Sequence, residues 1–176
     1  ALRTGLASAT RDYVFYTDGD GQYDVLELPK LLALVEPGVG LVNGFKRKRN
    51  DPWHRIWIGA AYNQFARLLF GVRLSDIDCD FRLISRSLLD RIGLVSTSGT
   101  VCVELVRKLE QTGTQVVEVD VSHYPRLHGR SQFFRIRSLF RTFRELIALY
   151  RKIVLQPALS AMRARLFGPA AGSLNK

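Results

Sequence analysis

Residues 13–24, YVFYTDGDGQYD, run an apolar stretch directly into a cluster of carboxylates, and the reading of this stretch decides the fold. Tyr13 to Thr17 carries the β-branched and aromatic residues of a buried strand, and the glycines that follow stop it abruptly. Asp18 and Asp20 are thereby held at the carboxyl edge of a sheet, where open α/β sheets place their ligands. Two carboxylates one residue apart suit a hard divalent cation, which takes oxygen ligands and keeps positions open for a substrate diphosphate. Gln22 adds a neutral oxygen to the same turn. A plain Gly/Asp turn is the simplest competing reading. A calcium loop of the EF-hand kind fits Asp18, Asp20 and Gln22 but fails beyond them, because Tyr23 replaces the turn glycine and Pro29 stands where the bidentate Glu belongs.

Outward from this turn the chain alternates helical and extended patterns. Residues 1–11 fit the last turns of a helix. Residues 26–35, LELPKLLALV, have helical spacing with Pro29 near the start and Pro37-Gly38 past the end, and 38–44 read as a second strand, so a strand, helix, strand unit results. A basic turn follows at 45–50. Residues 54–70 repeat apolar side chains at helical intervals up to Gly71 and predict a core helix. In 74–85, LSDIDCDFRLIS, alternation predicts an extended segment with Asp76, Asp78 and Asp80 on one side. A helix over 101–112 ending at Gly113 and a strand over 115–121 come next. Residues 123–132, HYPRLHGRSQ, are too polar for core. The most periodic helix spans 135–154, Pro157 interrupts it, and a shorter basic segment runs to Phe167.

A chain of 176 residues with 47% apolar content is long enough for one domain with a real core. No apolar run is long enough to span a bilayer as a conventional helix. The first residues do not read as a signal peptide, and the absence of an initiating Met suggests a fragment. Cys79 and Cys102 lack the spacing of a zinc site and read as reduced thiols of a cytosolic protein. The net charge of +10 is concentrated in 124–167, where ten Lys/Arg face one acid, Glu145. That surface calls for an anionic partner.

Taken together, YTDGDGQYD, the basic turn GFKRKRNDPWHR, DCDFRLISR, Glu104 and HYPRLHGRSQ resemble the inverting family-two glycosyltransferases, in particular the polyprenyl- and dolichyl-phosphate sugar transferases. The resemblance covers 1–135 in continuous order. It implies a partial GT-A fold, a Rossmann-like mixed α/β sheet flanked by helices, followed by basic amphipathic helices. It also implies a nucleotide-sugar donor, Mg²⁺ or Mn²⁺, and a lipid-phosphate acceptor at the cytoplasmic membrane face. By position, Asp18 and Asp20 match the metal and donor-phosphate motif and Gln22 the glutamine of the polyprenyl branch. Asp80 stands where relatives carry the proposed catalytic base, although many have Gly there. Arg126 and Ser131 match the phosphate-contacting loop, and Arg130 offers it a second guanidinium. The strands that hold the nucleotide base in such enzymes have no counterpart here. The expected organisation is therefore a carboxyl-terminal transferase portion over 1–134, inactive alone, amphipathic basic helices over 135–167 and a disordered tail over 168–176. An unpaired sheet edge or exposed apolar face is expected where those strands belong.

In such a transfer, a cation on Asp18 and Asp20 and the arginines Arg126 and Arg130 would neutralise charge growing on the leaving diphosphate. A phosphate acceptor is already anionic and needs little or no base, whereas a hydroxyl acceptor would need Asp80. Asp76 and Asp78 are expected to pair with Arg82 or Arg86. Glu104 faces either the site or solvent, and His123 and His128 serve as hydrogen-bonding groups of the loop. The apolar stripe of 135–167, backed by arginines, suits an interfacial helix on anionic lipid, leaving Phe140, Phe143, Ile147 and Tyr150 incompletely covered. The rival is a basic nucleic-acid-binding module without catalytic activity. It lacks a recognition signature such as an RNP motif or zinc finger, so no nucleic acid is expected.

Overall fold

The computed structural model describes residues 2–46, 53–96, 98–125 and 136–167. Four strands, β1 (Tyr13–Thr17), β2 (Val39–Lys46), β3 (Phe81–Ser85) and β4 (Gln115–Val121), form one sheet in the order β1-β3-β2-β4. The strand β3 is antiparallel to both β1 and β2, while β2 and β4 are parallel. The carboxyl ends of β1, β2 and β4 therefore share one edge of the sheet, and the acidic turn that follows β1 lies on it. Among the described residues no strand pairs with the outer side of β1 or of β4.

Alternation along the strands sends side chains to two cores. On one face Leu41 and Ile84 meet α3 (Trp53–Phe70), α5 (Val101–Gln111) and α6 (Ile136–Tyr150) through Ala66, Phe70, Val103, Val106, Leu146 and Leu149. On the other face Val42, Phe81, Leu83 and Val121 cover Leu31 of the short α2 (Leu28–Leu32). The entry to α2 is set by Asp24, whose carboxylate accepts the Leu26 N–H at 2.9 Å and caps the 3-10 turn Val25–Glu27. Gly71 and Gly113, at φ 64° and 78°, let the chain leave α3 and α5 in the left-handed conformation that a side chain would oppose. The short helices α1 (Leu2–Ser8) and α4 (Arg86–Leu89) complete the domain before α7 (Gln156–Phe167).

Several elements depart from the pattern of the sequence. The helix expected over 26–35 is only a 3-10 turn and one α-helical segment that ends at Leu32; Pro29, with no N–H to give the Val25 carbonyl, sits where the two meet. The segment 74–80 is a turn, not an extended run, with the Cys79 N–H donating to the Asp76 carbonyl at 3.4 Å. The long carboxyl-terminal helix changes register in a π-helical turn, Arg151–Leu155, before Pro157 and then resumes as α7, where residues 156–166 are all exposed. The helix expected to be core, α3, buries only one side; Trp53, Trp57 and Leu68 on its outer side are 75%, 72% and 76% exposed.

Candidate active site

A polar row crosses the sheet in its carboxyl-terminal half. Tyr16 of β1 stands opposite Arg82 of β3, Arg82 opposite Asn43 of β2, and Asn43 opposite Glu118 of β4. Arg82 is fully buried, and its guanidinium donates to the Asn43 Oδ1 at 2.7 Å, to the Tyr16 hydroxyl at 2.7 Å and to the Ile77 carbonyl. Burial opposes its charge, but Tyr16, Cys102 and Asp80 around it outweigh that and hold it as guanidinium, well above its usual range.

The row supports the turn that carries Asp76 to Asp80. Asn43 Nδ2 donates to the Asp76 carbonyl at 3.1 Å, Lys46 Nζ to the Asp78 carbonyl at 2.6 Å, and the Ile77 N–H to Asn63 Oδ1 at 3.1 Å. Glu118 accepts the N–H groups of Ser75 and Asp76 at 3.0 and 3.2 Å. Each of these bonds satisfies a backbone group that neither a helix nor a ladder would pair. None of Asn43, Lys46, Asn63 or Glu118 was singled out from the sequence. The available signal was a polar or charged residue set among apolar strand positions, as Arg82 is in FRLIS and Glu118 in QVVEVDV.

Asp80 leaves this turn and meets the acidic turn of β1. Its Oδ1 accepts the Tyr16 hydroxyl at 3.2 Å and the Cys102 thiol at 3.2 Å, with Arg82 Nη1 3.8 Å away. The Asp18 N–H donates to the Asp80 carbonyl at 3.3 Å, so the two acidic segments are joined through the backbone as the β1–β3 ladder ends. Asp18 is exposed as a residue, yet protein atoms crowd its carboxyl. That desolvation, then Asp80, Asp20 and Asp78, push its pKa up to about 6, against the pull of Lys46. The Cys102 thiol is pushed well above its usual range by burial and by Asp80, so it remains a neutral donor to that carboxylate.

The structure brings Asp18, Asp20, Asp78 and Asp80 to one edge, while Asp76 turns inward. Asp76 Oδ2 pairs with Lys46 at 3.5 Å and its Oδ1 accepts from Asn63 at 3.4 Å. The expected pairing of Asp76 and Asp78 with Arg82 or Arg86 is thus corrected: Arg82 serves Asp80 and Tyr16, and Arg86 binds Asp90 at 2.9 Å. The reason is the turn, which cancels the alternation. Gln22 fastens the acidic turn to the segment after β4, its Nε2 donating to the Tyr124 carbonyl at 3.0 Å and its own carbonyl accepting the Tyr124 N–H at 2.8 Å. His123 bridges to Tyr23 and packs its ring against it. Glu104 faces neither the site nor solvent. It is buried, binding Lys108 at 2.6 Å and accepting the N–H groups of Val95 and Ser96 at 3.0 and 2.7 Å. Arg126, Arg130 and Ser131, with His128, lie outside the described residues.

The donor set fits a divalent cation in character. Asp18 and Asp20 offer hard oxygens at a rim where burial and the neighbouring carboxylates raise the proton affinity of Asp18, an excess of negative charge that a cation relieves. Among the described residues no group of three His, Cys, Asp or Glu side chains converges to metal-binding distance, so further ligands would come from a substrate or water.

With that geometry in place, the comparisons define the class. The model of glycosyl transferase family 2 matches residues 1–93, and the chain belongs to that family. An undecaprenyl-phosphate 4-deoxy-4-formamido-L-arabinose transferase from Aeromonas hydrophila is 27% identical over 133 residues, covering 76% of this chain and 40% of the relative. A polyprenol monophosphomannose synthase from Mycolicibacterium smegmatis is 32% identical over 123 residues, covering 65% of this chain and 46% of the relative. The chain thus spans less than half the length of these two relatives. Among solved structures, glucosyl-3-phosphoglycerate synthase from Mycobacterium tuberculosis bound to UDP superposes with a TM-score of 0.61 at 22% identity, over 86% of this chain and 52% of that one. The same enzyme with Mn²⁺, UDP-glucose and phosphoglyceric acid gives 0.57 at 21% identity, over 86% and 52% of the two chains. These neighbours share the GT-A fold.

Proposed function

We propose that the chain is the acidic-site portion of a glycosyltransferase that moves a sugar from a nucleotide-sugar donor to a polyprenyl phosphate or related lipid phosphate, with inversion and with Mg²⁺ or Mn²⁺. The observation that carries this reading is the meeting of Asp18, Asp20 and Asp80 at the carboxyl edge of the sheet, in a family-two chain whose relatives are named for polyprenyl-phosphate substrates. Asp18 and Asp20 would hold the cation, which when bound supplies positive charge against a leaving diphosphate. Asp80 is oriented by Tyr16 and Cys102, and its carboxylate would take a proton from a hydroxyl acceptor. A phosphate acceptor would make no such demand. Gln22, Arg126, Arg130 and Ser131 complete the reading as donor-phosphate contacts, with Gln22 tying the acidic turn to the segment that leads into the other three.

Peripheral membrane contact through 135–167 at the inner face belongs to the same proposal. Phe140 and Phe143 of α6 are 68% and 51% exposed, Ile147 is exposed beside them, and Arg137, Arg141 and Arg144 are exposed on the same helix. No helix among the described residues is long and apolar enough to cross a membrane. The test is sugar transfer from a panel of nucleotide sugars to undecaprenyl phosphate with Mn²⁺ or Mg²⁺, measured for the full-length enzyme and for its Asp20→Asn variant. Transfer that the variant loses by about a hundredfold or more, with its melting temperature unchanged, is the expected outcome. Equal transfer by the variant would remove the metal site from Asp18 and Asp20.

A further inference from the structure

The helix α3 exposes an uncharged stripe where its sequence pattern calls for core. Trp53, Trp57, Ala60, Ala61, Gln64 and Leu68 recur at helical spacing and are all exposed. A helix apolar on both sides is ordinarily buried all round, so this outer side asks for an occupant. It is continuous with α6, because the Phe65 ring lies 5.4 Å from Phe143, whose neighbours Phe140 and Ile147 are also exposed. The surroundings decide what the occupant is. Residues 53–73 contain no acid and 136–167 contain only Glu145, while Arg137, Arg141, Arg144, Arg163 and Arg165 are exposed. An apolar surface flanked on α6 by arginines and almost free of carboxylates complements a sheet of anionic headgroups over an apolar interior.

We propose that the outer side of α3 is itself a membrane-docking surface, lying on an anionic bilayer with Trp53 and Trp57 at headgroup level and forming one continuous contact with the exposed side of α6. Indole rings favour that level because they join a large apolar body to a single N–H donor. The inference rests on the membrane contact proposed for 135–167 and extends it to a second helix, so that two helices rather than one fix the orientation of the domain on the surface.

The experiment uses a property of the composition: Trp53 and Trp57 are the only two tryptophans, so intrinsic indole emission reports α3 alone. With vesicles of mixed phosphatidylglycerol and phosphatidylcholine, emission should shift to the blue and be quenched by brominated acyl chains, and it should do neither with pure phosphatidylcholine. Trp53→Phe and Trp57→Phe, each leaving one indole, should both retain the shift. The double variant Trp53→Ser/Trp57→Ser should partition about tenfold more weakly with an unchanged circular dichroism spectrum. If the protein sediments with the vesicles while its emission stays that of a solvated indole, this inference is wrong and the contact through 135–167 stands. If it does not sediment at all, both fall. Emission already blue-shifted without lipid, together with a dimer in light scattering, would assign the stripe to a second copy of the chain and overturn the proposal.

Discussion

Asp18 carries the pH dependence of the site. Its folded-state pKa of about 6 lies above the unstructured value of 3.8, so between those limits the folded protein holds the proton more firmly than the unfolded chain does. Its contribution to stability therefore falls as pH rises from about 4 to about 6 and stays unfavourable above. Asp18→Asn should raise the melting temperature relative to wild type above about pH 6 and match it below about pH 4. For the cation proposed on Asp18 and Asp20, Mn²⁺ affinity measured by calorimetry should weaken between about pH 7.5 and about pH 5 as the Asp18 carboxylate takes a proton. Arg82 makes a different prediction. Replacing it with Met strands Asn43 and the Ile77 carbonyl in the interior and deprives Asp80 of its cation. The expected loss is about 3 to 5 kcal/mol in urea denaturation. At this scale the sequence exposed the acidic turn, since strand, glycine and carboxylate are adjacent in the chain. It hid the buried support of Asp80, since Tyr16, Asn43 and Arg82 become neighbours only through strand pairing.

Strand elements were the most legible, β1 and β4 within their stated bounds, because β-branched and aromatic runs closed by glycine or polar residues leave little choice. Order in the sheet was not legible. Nothing in the residues of β1 and β2 announces that β3 separates them. The helix α3 misled because an apolar pattern alone does not distinguish a side facing core from one facing outward, and the acidic row at 74–80 misled because a turn held by side chains can imitate alternation. The central strand makes its own demand. A Cβ on Gly44 would sit 2.9 Å from Val121 Cγ2 and 3.0 Å from both Cys79 Sγ and the Phe81 carbonyl, and the last of these is backbone that cannot step aside. Gly44→Ala should cost about 1 to 3 kcal/mol in chemical denaturation. Gly19→Ala, in the acidic turn with open space around it, should stay within about 0.5 kcal/mol of wild type.

Over the whole molecule the charge and the apolar surface coincide at the carboxyl-terminal helices, while the acidic edge lies on the sheet. In the full-length enzyme, Phe140→Ser/Phe143→Ser should reduce co-sedimentation with anionic vesicles and transfer to a lipid acceptor, yet spare donor hydrolysis, which needs no lipid contact. Co-sedimentation equal to wild type would remove α6 from the membrane contact. The π turn at Arg151–Leu155 was beyond sequence reasoning, which assigned the break to Pro157 alone. The insertion of β3 between β1 and β2 also sets a timetable for folding. Tyr13 pairs with Ser85 and Leu41 with Ile84, so the two earlier strands are made long before the strand that joins them, and each must keep an open side until it arrives. Contacts at such separation carry a loop-closure cost before they return any stability, which favours slow folding and a window in which chaperones would find bare strand edges. The Asp18 to Asp80 backbone bond forms only when β3 enters, so the proposed cation site is assembled in the same event that joins β1 to β2, and a chain stalled before it has no acidic edge to offer.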